Sequence, residues 1–166
     1  MSMAPTLIAP SKNYSDDSKI SDRVIANKMI YRWSFPQRGD IAAYRTTTID
    51  GEPVVFGQRI VGLPGETVDI QSPDILINGK RLTEPPFFKT MSEKDDGYGG
   101  YVRLEEIGWE NAGVLLPITL GQDEYFLLGD NSEQSLDSRV KGAVHRKDII
   151  GKVVRLYYPF SRLRDL

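Results

Sequence analysis

The sequence predicts a mainly β protein, in which an antiparallel β-sheet core carries an inserted, smaller β-rich subdomain. Three observations support this fold class. The 166 residues include 15 Gly and 10 Pro, so turn residues interrupt the chain often. No window longer than about ten residues shows apolar residues at the 3.6-residue period of a helix. Short apolar runs of strand length recur instead between the turn residues.

The predicted strands follow one another along the chain, each an apolar-rich run bounded by turn residues. They occupy residues 23–26, 41–44, 54–61, 67–70, 75–77, 80–82, 125–128 and 149–157. Asn78-Gly79 supplies the positive φ angles of a type I′ turn, which predicts a hairpin between 75–77 and 80–82. One short helix is predicted at residues 104–109, and the first 21 residues are predicted to be mostly loop.

The composition changes between residues 84 and 123. This stretch holds Pro85-Pro86, a polar run at 92–96 and a glycine cluster at 97–100 before apolar sequence returns. It is too long for a plain loop in a compact domain. We therefore predict a discontinuous core domain of residues 1–83 and 124–166, with residues 84–123 as an inserted cap subdomain.

The composition also excludes several kinds of function. Lys and Arg number 21 against 23 Asp and Glu, so a nearly neutral chain without a basic block is not expected to bind nucleic acid. The absence of cysteine excludes disulfides, thiolate zinc sites and thiol catalysis. The single histidine, His145, leaves little room for a histidine metal centre or a Ser-His-Asp triad. We therefore expect no metal and no cofactor.

Three segments carry possible chemistry, although each alone is typical of a turn. They are Ser-Met-Ala-Pro-Thr-Leu at residues 2–7, Gln-Arg-Ile-Val-Gly-Leu-Pro-Gly-Glu at 58–66, and Gly-Asp-Asn-Ser-Glu-Gln-Ser-Leu-Asp-Ser-Arg at 129–139. Asp-Arg-Val-Ile-Ala-Asn-Lys at 22–28 and Arg-Gly-Asp-Ile at 38–41 lie between the first two. Together and in this order, over most of the chain, they resemble the type I signal peptidase family of Ser/Lys serine proteases.

The resemblance implies a signal-peptidase-like β fold and a role for several residues. Ser2 is implied to be the nucleophile, with Met3 and Pro5 at the substrate groove and the oxyanion site. Ser135 is implied to orient the family's lysine base. The residues implied to support the site are Arg59, Asp130, Asn131 and the pair Asp137 and Arg139.

Gln58 is the main departure from the family pattern. The family places its lysine base immediately before the arginine of the second segment, and that position is Gln58. A glutamine amide does not accept a proton at physiological pH, although it can hydrogen-bond to a serine. Loss of a general base costs about 10²–10⁴-fold in rate. The chemistry implied for Ser2 therefore lacks its expected base.

Other groups are candidates for a replacement base. Lys28 and His145 are two of them, although a lysine at position 28 is usual in the family and is not catalytic there. The third is the α-amine of Ser2, which has a pKa near ~8 and would be free if Met1 were removed. Lys12 and Lys80 lie in a predicted loop and in the predicted hairpin.

Residues 30–35 alternate aromatic and polar side chains. Tyr31, Trp33 and Phe35, together with arginine, suit a lipid interface, and the resemblance places this neighbourhood near the membrane. The alternative interpretation is a half-buried strand packed on the core. The longest mostly apolar stretch, residues 113–120, is shorter than the roughly 18 residues of a membrane-spanning helix, so no transmembrane anchor is expected in this chain. The resemblance implies the outer face of the cytoplasmic membrane.

The leading hypothesis is a serine endopeptidase that removes preprotein signal peptides after small residues of the Ala-x-Ala type, with its activity in doubt because of Gln58. The second is an inactive homologue that binds signal-peptide-like segments. A self-cleaving repressor with Ser/Lys chemistry would need an N-terminal DNA-binding domain, for which the chain has no room. A β-fold interaction module without catalysis is the remaining hypothesis.

Overall fold

The computed structural model describes residues 2–8, 21–48, 50–93, 99–109 and 113–166. Within these ranges the chain forms two antiparallel sheets, so the predicted mainly β fold is confirmed. Each predicted strand is found, with most of them one to several residues longer or shorter than predicted. The strands are β1 (Arg23–Asn27), β2 (Ile41–Thr47), β3 (Pro53–Gly62), β4 (Thr67–Gln71), β5 (Asp74–Ile77), β6 (Lys80–Arg81), β7 (Ile118–Thr119), β8 (Glu124–Leu128), β9 (Val144–His145), β10 (Ile149–Tyr158) and β11 (Arg164–Asp165).

The larger sheet joins strands from both ends of the chain. Its order is β1-β10-β2-β3-β8-β9, and β11 pairs with β10. In the centre of the sheet, Ala42 of β2 lies opposite Gln58 of β3, and Arg59 lies opposite Leu128 of β8. The second and third motifs are therefore neighbours in space although about 70 residues separate them in the sequence.

The smaller sheet has the order β6-β5-β4-β7. Its β5–β6 hairpin turns at Asn78 and Gly79, which have φ angles of 51° and 76°. Both angles are positive as a type I′ turn requires, so this hairpin prediction is confirmed. Three of the four strands precede residue 84 and only β7 follows it. The division into a core and a cap of residues 84–123 stays a prediction.

The helices were mostly missed by the sequence analysis. The structure has α1 (Ile30–Trp33), α2 (Pro86–Ser92) and α3 (Ser138–Lys141), and the predicted helix at 104–109 is a 3-10 turn at Glu105–Ile107. The strand interpretation of residues 30–35 is wrong, because four of these residues form α1. These segments are too short to show a helical period. Two local signals were available: Pro86 at the start of α2, and Asp137 as the N-cap of α3, where its carboxylate accepts from Arg139 N–H.

Apolar side chains pack in three clusters around the two sheets. The two faces of β2 contribute to different clusters, because successive side chains point to opposite faces of a strand. Ala42 and Tyr44 pack with Ile60 and Leu127 on one face. On the other face, Ile41 and Ala43 pack with Val153 and with Met3 of the N-terminal segment. The third cluster lies between the sheets, where Val61, Phe126 and Leu128 meet Val68, Ile70 and Ile75.

None of the helices in the described parts of the chain is both long enough and apolar enough to cross a lipid bilayer.

Candidate active site

Ser2 begins an irregular segment that packs on one face of the larger sheet. Residues 2–8, which we call the Ser2 loop, form turns, with Leu7 N–H donating to the Met3 carbonyl at 2.7 Å. Met3 is 5% exposed and anchors the loop in an apolar cluster. The Ser2 carbonyl accepts a hydrogen bond of 2.9 Å from Asn131 N–H. The structure therefore brings the first and third motifs into contact.

Gln58 lies at the centre of the site and is completely buried. Its Nε2 group donates to Ser135 Oγ at 3.2 Å and to the Leu136 carbonyl at 3.1 Å, and its Oε1 accepts from the Tyr44 hydroxyl. A carbonyl oxygen only accepts hydrogen bonds, so the contact with Leu136 fixes which end of the amide is the nitrogen. Both N–H groups and the oxygen of this amide are then engaged.

Tyr44 is a site residue that the sequence analysis missed. It is 2% exposed and its hydroxyl reaches Gln58 across the β2–β3 pair. Burial, and to a smaller extent the nearby Asp137 carboxylate, raises the pKa of the Tyr44 hydroxyl well above its usual value. The phenol therefore stays protonated at physiological pH and acts as a hydrogen-bond donor, not as a base.

Gly129 allows the Ser2 loop and Ser135 to approach each other. A Cβ atom at this position would clash with the Ser135 hydroxyl and with the Ser2 carbonyl. The Gly129 N–H donates to Asp137 Oδ2 at 3.1 Å. Only glycine fits between the first motif and Ser135 at this distance, and this close packing was not foreseen from the sequence.

Asp137 and Arg139 form a fully buried ion pair. Arg139 donates from Nε to Asp137 Oδ1 at 2.9 Å and from Nη2 to Asp137 Oδ2 at 2.8 Å. Arg139 also donates to the Ser132 carbonyl at 2.6 Å and to the Val102 carbonyl at 2.7 Å. A buried pair with this many charge-assisted hydrogen bonds holds its loop rigidly. The geometry suits the supporting role predicted for these two residues.

Arg59 and Asp130 form a second bidentate pair next to Gln58. Arg59 Nε and Nη2 donate to the two Asp130 oxygens at 2.8 and 2.7 Å, and Nη1 donates to the Gly39 carbonyl at 2.8 Å. The guanidinium carbon lies 3.8 Å from the centroid of the Phe87 ring in α2. The pair ties β3 to the 129–139 segment, and Phe87 is a further contact that the sequence did not reveal.

A cavity of about 410 Å³ opens beside Ser2. Its walls are mainly apolar and include Met3, Ala26, Ala43, Phe56 and Val153. Met3, which the resemblance placed at the groove, does line it. Pro5 is exposed and is not among the lining residues.

Two of the candidate replacement bases, Lys28 and His145, do not line this cavity, whereas Ser2, whose α-amine is the third candidate, does. Lys28 and Lys80 are exposed, and His145 is an exposed residue of β9 whose Nδ1 accepts from Lys147 N–H at 3.3 Å. Met1 and Lys12 lie outside the described residues. A lysine that the sequence analysis did not consider, Lys141, has its Nζ 5.2 Å from the centroid of the Phe56 ring, where it donates to the Thr47 carbonyl. Lys141 is not among the residues that line the cavity.

The three aromatic residues near α1 have different environments. Tyr31 is buried and its hydroxyl donates to Asp40 Oδ2 at 2.9 Å, so this ring is not available to a membrane. Trp33 and Phe35 are 82% and 81% exposed. Trp33 and Phe35 are therefore the two aromatic residues of this group for which a membrane contact stays a prediction.

The described residues contain no group of three or more His, Asp or Glu side chains placed to hold a metal ion.

The chain is similar to known proteins over most of its length. The family model described as "Signal peptidase, peptidase S26" matches residues 1–158. A signal peptidase I from Leptolyngbya laminosa is 31% identical over 167 residues, which cover 95% of this chain and 70% of that protein. A signal peptidase I from Bacillus amyloliquefaciens is 31% identical over 144 residues, which cover 86% of this chain and 70% of that protein. The crystal structure of a signal peptidase I from Enterococcus faecalis V583 superposes with a TM-score of 0.51 and 28% identity, covering 72% of this chain and 97% of the other.

Proposed function

The chain belongs to the signal peptidase family, peptidase S26, and on that premise we propose that it holds signal peptides in the cavity beside Ser2 without the amine base that rapid cleavage needs. The family predicted from the motifs is confirmed by these comparisons. The proposal concerns what this particular chain does with the family's groove.

The lining of the cavity favours small side chains in the bound peptide. The cavity walls next to Ser2 include Ala26 and Ala43, and the volume of about 410 Å³ suits small side chains of an extended segment. An extended peptide with small residues at alternate positions, of the Ala-x-Ala type, would place them on one side of its backbone. We propose this class of sequence as the ligand.

Gln58 is the observation that carries the proposal. The amide is buried and its oxygen and both N–H groups are hydrogen-bonded, and an amide does not accept a proton from a serine at physiological pH. Absence of the base lowers the rate by about 10²–10⁴-fold. Binding needs only the groove and is not affected by this substitution.

A second candidate function is slow but real endopeptidase activity. The observation that favours it is the intact surrounding of Ser2, since Ser135 and the buried pairs Arg59–Asp130 and Asp137–Arg139 are all in place. Oxyanion stabilisation and substrate positioning retain part of the catalysis when a base is lost. On this alternative, Ser2 cleaves with help from another group.

We further propose that the chain works at the outer face of the cytoplasmic membrane. Trp33 and Phe35 are exposed aromatic side chains close to each other in sequence. Such side chains favour the membrane–water interface.

The test is equilibrium binding of a fluorescent peptide with an Ala-x-Ala segment. Ala26→Phe puts a ring into the cavity, whereas Ile25→Phe changes a neighbouring side chain that is 47% exposed and outside the cavity. We expect binding to the unmodified chain, a loss of at least about tenfold in Ala26→Phe and little change in Ile25→Phe. Absence of binding to the unmodified chain, or equal losses in the two variants, would overturn the proposal.

A further inference from the structure

The Ser2 loop depends on contacts from outside itself. Its internal support is the single backbone hydrogen bond from Leu7 to Met3 within the described residues, and it has no regular secondary structure. A segment of this kind samples many conformations unless other elements hold it. On one side it is held by the hydrogen bond from Asn131 to the Ser2 carbonyl.

On the other side the loop is held by Arg162, near the C-terminal end of the chain. Arg162 Nη2 donates to the Pro5 carbonyl at 3.1 Å and to the Thr6 carbonyl at 3.4 Å. Its Nη1 lies 3.2 Å from Asp22 Oδ2. Asp22 in turn accepts from Ile8 N–H at 2.8 Å and donates its own N–H to the Ile8 carbonyl at 2.8 Å. One guanidinium group thus reaches both ends of residues 5–8.

The Asp22–Arg162 pair is shielded from water. The Asp22 side chain is 2% exposed and the Arg162 side chain is 23% exposed. Hydrogen bonds from an ionised donor are about twice as strong as neutral ones, and shielding reduces screening by salt. The contact is therefore more than a surface ion pair, which contributes little.

The segment that carries Arg162 is itself fixed to the sheet. Arg164 of β11 donates to the Thr6 carbonyl at 2.6 Å, while the strand pairs with Leu156 and Arg155 of β10. Leu166 N–H donates to the Val154 carbonyl at 3.0 Å. Residues 159–166 thus connect β10 of the larger sheet to the Ser2 loop.

We infer that Arg162 is a positioning residue, which fixes the Ser2 loop and thereby the mouth of the groove. The position lies beyond residues 1–158, the part of the chain that the family model matches. Four residues of the loop, including Ser2 and Met3, line the cavity, so loss of Arg162 loosens one wall of it. The consequence for peptide binding rests on the proposed function, whereas the order of the loop does not.

Hydrogen exchange followed by mass spectrometry tests the inference on the full chain. The quantity compared is the exchange rate of the Leu7 and Ile8 amides divided by that of the β8 amides, which lie in the core. In Arg162→Ala this ratio is expected to rise about tenfold, the factor that corresponds to loss of one charge-assisted hydrogen bond. Arg162→Lys keeps the charge but cannot reach several acceptors at once, so it restores the ratio in part.

Arg81→Ala is the matched control, because Arg81 also pairs with an aspartate, Asp74, at 2.8 Å but belongs to the smaller sheet. It should leave the ratio unchanged. An unchanged ratio in Arg162→Ala, including one in which loop and core exchange accelerate equally, would overturn the inference. If Arg162→Ala does not fold, Arg162→Lys takes its place. A ratio above that of the unmodified chain then supports the inference, and an unchanged ratio overturns it.

Peptide binding provides the second readout. An Ala-x-Ala peptide should bind Arg162→Ala about tenfold more weakly than the unmodified chain and Arg81→Ala. Equal binding to all three would contradict the inferred effect of Arg162 on the groove. If even the unmodified chain does not bind the peptide, the proposed function fails, and the exchange ratio still decides the role of Arg162.

Discussion

At the scale of single residues, the amide of Gln58 is held by hydrogen bonds at each of its polar groups. A glutamine donates two hydrogen bonds and accepts one here, and all of its partners lie at fixed positions in the structure. The partner at the oxygen, Tyr44, is a donor whose raised pKa keeps it protonated. Every hydrogen-bonding group of the amide at position 58 therefore has a partner within the protein. A buried amide without this donor would leave an unpaired oxygen.

The hydrogen bond between Tyr44 and Gln58 predicts a loss of stability in Tyr44→Phe. Removal of the hydroxyl leaves the buried Gln58 oxygen without a donor, so the free energy of unfolding should fall by about 1–3 kcal/mol. Urea unfolding at pH 7 measures it. Tyr157→Phe is the control, since Tyr157 is 39% exposed, and a change within about 0.5 kcal/mol is expected there.

The difference in unfolding free energy between the unmodified chain and Tyr44→Phe should depend on pH. The pKa of Tyr44 is raised in the folded chain, so the unfolded phenol ionises first as the pH rises above about 10. The folded state then binds more protons than the unfolded state, and its stability falls with rising pH. Phenylalanine has no ionisable hydroxyl, so the stability of Tyr44→Phe lacks this dependence on pH. The difference between the two proteins should shrink above pH 10, and a constant difference up to pH 11.5 would contradict the buried, protonated phenol.

At the scale of elements, α2 connects the smaller sheet to the site. Its Phe88 and Met91 are buried in the cluster between the sheets, while Phe87 stacks on Arg59, the partner of Asp130. Pro85 lies against Gly39 at the start of the helix. The helix is thus a support for the arginine next to Gln58. It was not predicted, because its seven residues make fewer than two full turns and show no helical period.

The stacking on Arg59 predicts different effects for two substitutions of Phe87. Phe87→Leu retains apolar contact but loses the ring, so it should reduce the free energy of unfolding by about 0.5–2 kcal/mol. Phe87→Ala also opens a cavity and should lose about 3 kcal/mol or more. Phe160→Ala, at a side chain 79% exposed, is the control. A loss in Phe87→Leu no larger than that in Phe160→Ala would contradict the stacking, as measured by thermal or urea unfolding.

At the scale of the whole molecule, the features that could be predicted from the sequence are those set by residues close together along the chain. Apolar runs between turn residues located the strands, and Asn78-Gly79 located a hairpin, because both features are local. Pairing of β10 with both β1 and β2 brings the ends of the chain together, and no local pattern specifies such contacts. The motifs identified Ser2, Gln58 and Ser135. The partners Tyr44, Phe87 and Arg162 became visible only in the folded chain, where residues distant in sequence meet.

The contacts of Arg162 and of Asn131 with the Ser2 loop have the same non-local origin. They place an N-terminal segment between the 129–139 segment and the C-terminal residues. The candidate site is therefore an assembly of four distant parts of the chain, namely the Ser2 loop, β2 with β3, the 129–139 segment and the C-terminal residues. Among these, the sequence could indicate members only through the family's motifs.

We propose that this chain binds a signal peptide and does not cleave it at the rate the family's chemistry allows. Cleavage of a fluorogenic signal-peptide substrate, compared between the unmodified chain and Ser2→Ala, tests it most directly. We predict that the two proteins are equally slow, that both bind the substrate, and that Gln58→Lys cleaves about 10²–10⁴-fold faster than either. Cleavage by the unmodified chain that disappears in Ser2→Ala and matches the rate of Gln58→Lys would contradict the account.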